Sequence, residues 1–154
     1  MSVPHDPAAR AALRTPEVCP ICLRGGPLEV VAELGASWVT MGESAPMRGY
    51  ACVVFRRHAV ELHDLSAAEG AAFMWDVQRV SAAVAAATSA MKLNYEIHGN
   101  TVPHLHLHIF PRYPADPFAG GPINPRLIAA PVYAPGEFAA LRGRVQAALN
   151  HSAA

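Results

Sequence analysis

The chain has 154 residues, and Lys+Arg and Asp+Glu balance at 12 each, so bulk charge offers no grip on nucleic acid or an anionic membrane surface. Its length suits one hydrophobic core, a single domain over 1–154, and the 52% apolar content owes much to alanine, with no run greasy enough to span a bilayer. Residues 1–15 lack an apolar stretch with a cleavage site, which predicts a cytoplasmic protein with a flexible N-terminal extension.

The first motif along the chain is Cys19-Pro20-Ile21-Cys22. In a reducing compartment a Cys-x-x-Cys pair reads as metal-binding or redox-active. The redox reading needs the motif to open a helix, and Gly25-Gly26-Pro27 argues against a helix there. Zinc fits better, although two thiolates make only half a tetrahedral site. Leu28–Leu34 and Ser37–Met41 read as short strands meeting around Gly35, and Tyr50–Phe55 as the most apolar strand. Cys52, alone in that strand, reads as a small buried hydrophobe. Ser66-Ala67-Ala68-Glu69 is a capping-box pattern. It predicts a helix that carries Phe73, Val77, Val80 and Val84 at helical spacing to about Ala90. Met91–Ile97 predicts a strand that turns around His98-Gly99-Asn100 into the next one.

That next strand holds His104, His106 and His108. Residues two apart share a face of a strand, so the spacing predicts three imidazoles in one row, with Leu105, Leu107 and Ile109 buried behind them. No packing need calls for such a row; metal binding and phosphate chemistry both would. The flanks hold no carboxylate, whereas Thr101 and Arg112 are groups that suit phosphate, so phosphate leads. The strand should stop near Phe110, because Pro111 cannot donate to a ladder. Seven prolines between Pro111 and Pro135, with Gly120-Gly121, predict an irregular connector over 111–135: a packed link, or a wall of a cleft. A last helix should run from about Gly136, with Phe138, Leu141, Val145 and Leu149 on one face.

The stretch His104-Leu-His106-Leu-His108-Ile-Phe resembles the alternating signature of the histidine triad (HIT) superfamily of nucleotide hydrolases and transferases. Gly99-Asn100-Thr101-Val102-Pro103 resembles the family's approach to the triad, and Pro111-Arg112 the pair that often follows. Arg48 to His58 resembles the strand that ends on a basic His; the likeness runs from Cys19 to Tyr113. The resemblance implies an α+β fold, an antiparallel sheet of about five strands flanked by a central and a C-terminal helix, in a homodimer.

The same resemblance implies roles, with His104, His106 and His108 together as the catalytic residues. His106 would be the nucleophile at the α-phosphorus of a nucleotide, His108 a partner of the phosphoryl oxygens, and Asn100 and Thr101 further donors. Asn94 would contact the ribose-phosphate region. Asn100 replaces the usual Gln, and the segment from Asn94 to Asn100 is one residue short of the commonest pattern. Some branches of the superfamily carry structural zinc on residues that correspond here to Cys19, Cys22, His58 and His104. The expected activity is hydrolysis at the α-phosphate of dinucleoside polyphosphates or related nucleotidyl compounds, since the Ala-rich compact form resembles bacterial diadenosine polyphosphate hydrolases. Nucleotidyl transfer, phosphoramidate hydrolysis and a zinc-stabilised nucleotide-binding module without turnover stand as alternatives.

Overall fold

A computed structural model describes residues 6–118, 120–124, 127 and 132–151. The chain order is α1 (Pro7–Ala12), α2 (Pro20–Arg24), β1 (Val30–Glu33), β2 (Ser37–Thr40), β3 (Ala51–Phe55), α3 (Ala67–Thr88), β4 (Lys92–Glu96), β5 (His106–Arg112) and α4 (Glu137–His151). The strands form one sheet in the order β1-β2-β3-β5-β4, antiparallel at every pairing. This is the α+β arrangement expected.

Strand alternation divides the sheet into two chemically different faces. Val53 of β3 and Leu107 and Ile109 of β5 pack with Val39 against Phe73, Val77, Val80 and Val84 of α3 and Leu141, Val145 and Leu149 of α4. Those helical residues recur every three or four positions, so each helix turns one stripe inward. Cys52 and Val54 lie on the opposite face, across the ladder from His108 and His106. That face carries the site, and the short helix α2 is seated on part of it through Ile21.

Ser66 starts α3 as the sequence predicts: its hydroxyl accepts from the Glu69 N–H, and the Glu69 carboxylate accepts from the Ser66 N–H. The helix ends at Thr88, two residues earlier than expected, because Ser89 takes the left-handed conformation at φ 54°. β1 begins at Val30 rather than Leu28, since Glu29 holds φ 58° and breaks the extended run.

Two expectations need correction, and the N-terminal stretch carries a short helix of its own. Cys-x-x-Cys does open a helix: Cys19 caps α2, and Gly25, at φ 77°, ends it after five residues. The glycine pair limits the helix rather than forbidding it, because the left-handed C-cap is a place glycine favours. Within the expected N-terminal extension, Asp6 caps α1 by accepting from the Ala9 N–H, and Arg14 pairs with Asp64; residues 1–5 lie outside the described set. Finally, β5 runs through Pro111 to Arg112. Met91 donates to the Arg112 carbonyl, so by alternation the Pro111 nitrogen faces the β3 side, where β3 begins only at Ala51. No ladder bond is lost there. Among the described residues no helix is long and apolar enough to cross a membrane.

Candidate active site and metal centre

The three histidines do not form a single row. β5 begins at His106; His104 lies in a bend before it, where the Leu105 N–H bonds to Ala59 and the Leu105 carbonyl accepts from Phe55. His104 is 1% exposed, and its ring meets His58 edge-on at 5.5 Å, whereas the His106 and His108 rings meet each other at 4.7 Å. One motif thus serves two centres.

The first centre gathers Cys19, Cys22, His58 and His104, whose ligand atoms all lie within 4.8 Å of one another. Cys19 Sγ is 3.3 Å and Cys22 Sγ 3.6 Å from His104 Nδ1, and Cys22 Sγ is 3.3 Å from His58 Nδ1. A tetrahedral zinc with ordinary Zn–S and Zn–N bonds has sulfur–nitrogen edges of about 3.6 Å, so the donor set fits such an ion. The tautomer fits as well. His104 Nε2–H donates to the Phe55 carbonyl at 2.7 Å, which leaves the Nδ1 lone pair turned to the cysteines. Burial and then the neighbouring Cys19 push the Cys22 thiol up to about 11. A metal would therefore have to displace protons to bind. Cys19 and Ile21 pack against Cys52 and Val54, so the knuckle is seated on the same sheet face as the triad.

The second centre is a cleft of about 600 Å³ lined by Tyr50, Glu96, His98, Asn100, Thr101, His106 and His108 among others. His106 Nδ1 sits 2.6 Å from the His104 carbonyl. A carbonyl only accepts, so the proton is on Nδ1 and the Nε2 lone pair is free. Burial lowers the His106 pKa, partly offset by that hydrogen bond, and brings His108 down to about 4 with help from the nearby His106 and His98. Both rings are therefore neutral near pH 7. A neutral imidazole with an exposed lone pair is a nucleophile, and an uncharged neighbour can still donate one N–H.

Asn100 and Thr101 line this cleft with the two histidines, but Asn94 does not. Its side chain accepts from Arg112, and it lines a separate cleft of about 470 Å³ with Arg112, Tyr113 and Asp116. Nor is Arg112 available to a phosphate. Its Nε and Nη2 bind Asp116 at 2.8 and 2.9 Å, Nη1 also donates to Gly121 O at 2.8 Å, and Nη2 also reaches Phe118 O. Every N–H of the guanidinium is committed within the fold. Arg112 instead ties Asp116, Phe118 and Gly121 to β4 and β5, and Ile123 and Asn124 line the cleft that holds His106 and His108.

Sequence reasoning missed Tyr50, whose hydroxyl lies 2.6 Å from His108 Nδ1, and His98, which pairs with Glu96 at 2.8 Å beside the His108 ring. Tyr50 could have been found from register alone, since it lies two residues before Cys52, which pairs with His108.

Several solved structures share this architecture. A histidine triad protein from Bradyrhizobium japonicum is 31% identical over 75% of this chain and 89% of its own, with a TM-score of 0.63. A histidine triad protein from Sinorhizobium meliloti 1021 is 24% identical over 77% of this chain and 87% of its own, with a TM-score of 0.67. A zinc-bound histidine triad family protein from Mycobacterium smegmatis is 24% identical over 90% of this chain and 97% of its own, with a TM-score of 0.62. No curated protein matches. The HIT domain family model matches residues 26–115, more than half the chain and all of the triad, and on that match and the Bradyrhizobium likeness the chain belongs to the HIT family.

Proposed function

We propose that this HIT protein is a nucleotide hydrolase that cleaves dinucleoside polyphosphates or related nucleotidyl compounds at the α-phosphate. The observation that carries the reading is the 2.6 Å bond from His106 Nδ1 to the His104 carbonyl, which leaves Nε2 as a free base in a cleft lined with donors. Nε2 attacks the α-phosphorus, a phosphorus–nitrogen bond forms, and the bond to the bridging oxygen of the leaving phosphate breaks. Water then attacks the same phosphorus and releases the nucleoside monophosphate, and Nε2 regains its lone pair. Thr101 and Asn100 supply donors to the oxygens on which charge develops.

Zinc belongs to this proposal as a structural ion on Cys19, Cys22, His58 and His104, in keeping with the spacing of their donor atoms and with the zinc-bound Mycobacterium relative. When bound it contributes folding energy, and it holds the His104 whose carbonyl orients the nucleophile.

Diadenosine tetraphosphate hydrolysed in oxygen-18 water tests the site of attack. The label is expected in AMP, with ATP as the unlabelled product. Symmetric cleavage to two ADP molecules contradicts the reaction, and tight AMP binding with no turnover of any nucleotidyl compound replaces it with a binding module.

A further inference from the structure

His106 and His108 are neighbours on one strand face with rings 4.7 Å apart, yet the reaction asks opposite things of them. One must present a lone pair and the other a proton. The backbone settles the matter for His106, because the His104 carbonyl can only accept. His108 Nδ1 faces a phenol instead: the Tyr50 hydroxyl at 2.6 Å, with the two rings stacked at 5.9 Å and an interplanar angle of 22°. A phenol both donates and accepts, so the direction of this bond must be argued.

Burial raises the Tyr50 pKa, so the hydroxyl keeps its proton near neutrality and has it to give. A phenolic O–H is a stronger acid than a neutral imidazole N–H, and the better donor gives the proton in a short O–H···N bond. Were the ring to donate instead, the phenol proton would have to find another acceptor, and the neighbouring Cys52 sulfur is only a weak one.

We propose that Tyr50 is a positioning residue: by donating to His108 Nδ1 it holds His108 as the Nε2–H tautomer, the inverse of His106, and so makes one ring the nucleophile and the next the donor to the phosphoryl oxygen. The catalytic consequence rests on the nucleotide-hydrolase reading above; the tautomer assignment does not. Tyr50 touches His108 and orients it, and the donor that meets substrate is His108 Nε2–H.

Tyr50→Phe removes the hydroxyl and keeps the ring. Two-bond proton–nitrogen correlations of the imidazoles, recorded on the full chain as purified, report each tautomer directly. Wild type is expected to show His108 protonated on Nε2 and His106 on Nδ1. In Tyr50→Phe the His108 pattern should move to a mixture while His106 is unchanged. With diadenosine tetraphosphate, kcat should fall between about 10- and 100-fold with KM nearly constant, because a donor to developing charge acts on the transition state. A His108 that is protonated on Nδ1 in wild type, or a pattern that Tyr50→Phe leaves unmoved, overturns the proposal even if activity drops. If wild type turns over no nucleotidyl compound, the functional reading fails and the spectra still decide the role of Tyr50.

Discussion

Removing one ligand of the Cys19, Cys22, His58, His104 cluster should cost the protein a large share of its stability. Cys19 and His104 are 85 positions apart in sequence, and Cys22 and His58 are 36 apart. An ion that joins them acts as a cross-link on the unfolded chain. Loop-closure entropy for loops of that size corresponds to about 4 kcal/mol for either one, and the two loops overlap, so their effects do not add. About 1 kcal/mol shifts the melting temperature of a domain this size by roughly 2–4 °C. Cys22→Ser, or chelation of the wild type, should therefore lower Tm by roughly 8–16 °C. The fold should survive at room temperature, because the sheet and its helical layer do not depend on the ion and His104 keeps its bond to Phe55. The assay pairs metal analysis of the purified chain with thermal unfolding before and after chelation. About one zinc per chain is expected. Cys52→Ala serves as the control, since Cys52 is buried beside the cluster but is not part of it. It should keep the metal and lose only packing. A metal-free wild type whose Tm does not rise on addition of zinc refutes the cross-link argument.

Three further outcomes are expected. His106→Asn should lower kcat by at least about 10³-fold, because it removes the attacking atom, and leave AMP affinity near wild type by calorimetry; near-normal turnover would rule out the covalent route. Asp116, held down at about 2 by Arg112, contributes stability that is complete above about pH 4, the unfolded carboxylate range, and is lost as pH falls through 2. Asp116→Asn should thus cost about 3 kcal/mol at pH 7, and the Tm gap to wild type should close between about pH 4 and 2; a gap independent of pH would show that the ion pair is not its source. Gly49 lies at φ 81°, with Thr88 Cγ2 where a Cβ would sit. Gly49→Ala should destabilise by about 1–3 kcal/mol in denaturant unfolding, and because Tyr50 follows directly it should lower activity in the folded fraction; a neutral effect on both would count against that close approach.

Legibility in the sequence followed how local the physics is. The capping box at Ser66 and Glu69, the helical stripe from Phe73 to Val84 and the alternation of Leu105, Leu107 and Ile109 depend on spacing alone, and they stand in the structure as written in the chain. The gathering of Cys19 and Cys22 with His58 and His104 is not local, since no periodicity links residues 85 positions apart; it came from resemblance, and the side-chain geometry then supplies the physical reason. Spacing alone stops β5 at Phe110, whereas the strand runs to Arg112, because a proline's cost in a strand depends on which neighbour its nitrogen faces. That is a property of where β3 starts, not of β5.

The same distinction explains why Arg112 and Asn94 lie away from the cleft that holds His106. Arg112 and Asn94 look like substrate ligands in a sequence because an unpaired guanidinium or amide is a natural partner for phosphate or ribose. What decides their role is competition for their donors and acceptors. Arg112 is only 8% exposed, and a buried guanidinium must find partners inside the fold or lose far more in desolvation than a surface charge would. Asn94, Asp116 and the carbonyls of Phe118 and Gly121 are those partners. Meeting that demand folds the proline-rich segment back over β5, and the fold-back brings Ile123 and Asn124 to the edge of the cleft that holds His106. Arg112 thus shapes the cleft that holds His106 from outside its lining; on the proposed function, its substitution should alter which nucleotidyl compounds the cleft accepts before it alters the chemistry at His106.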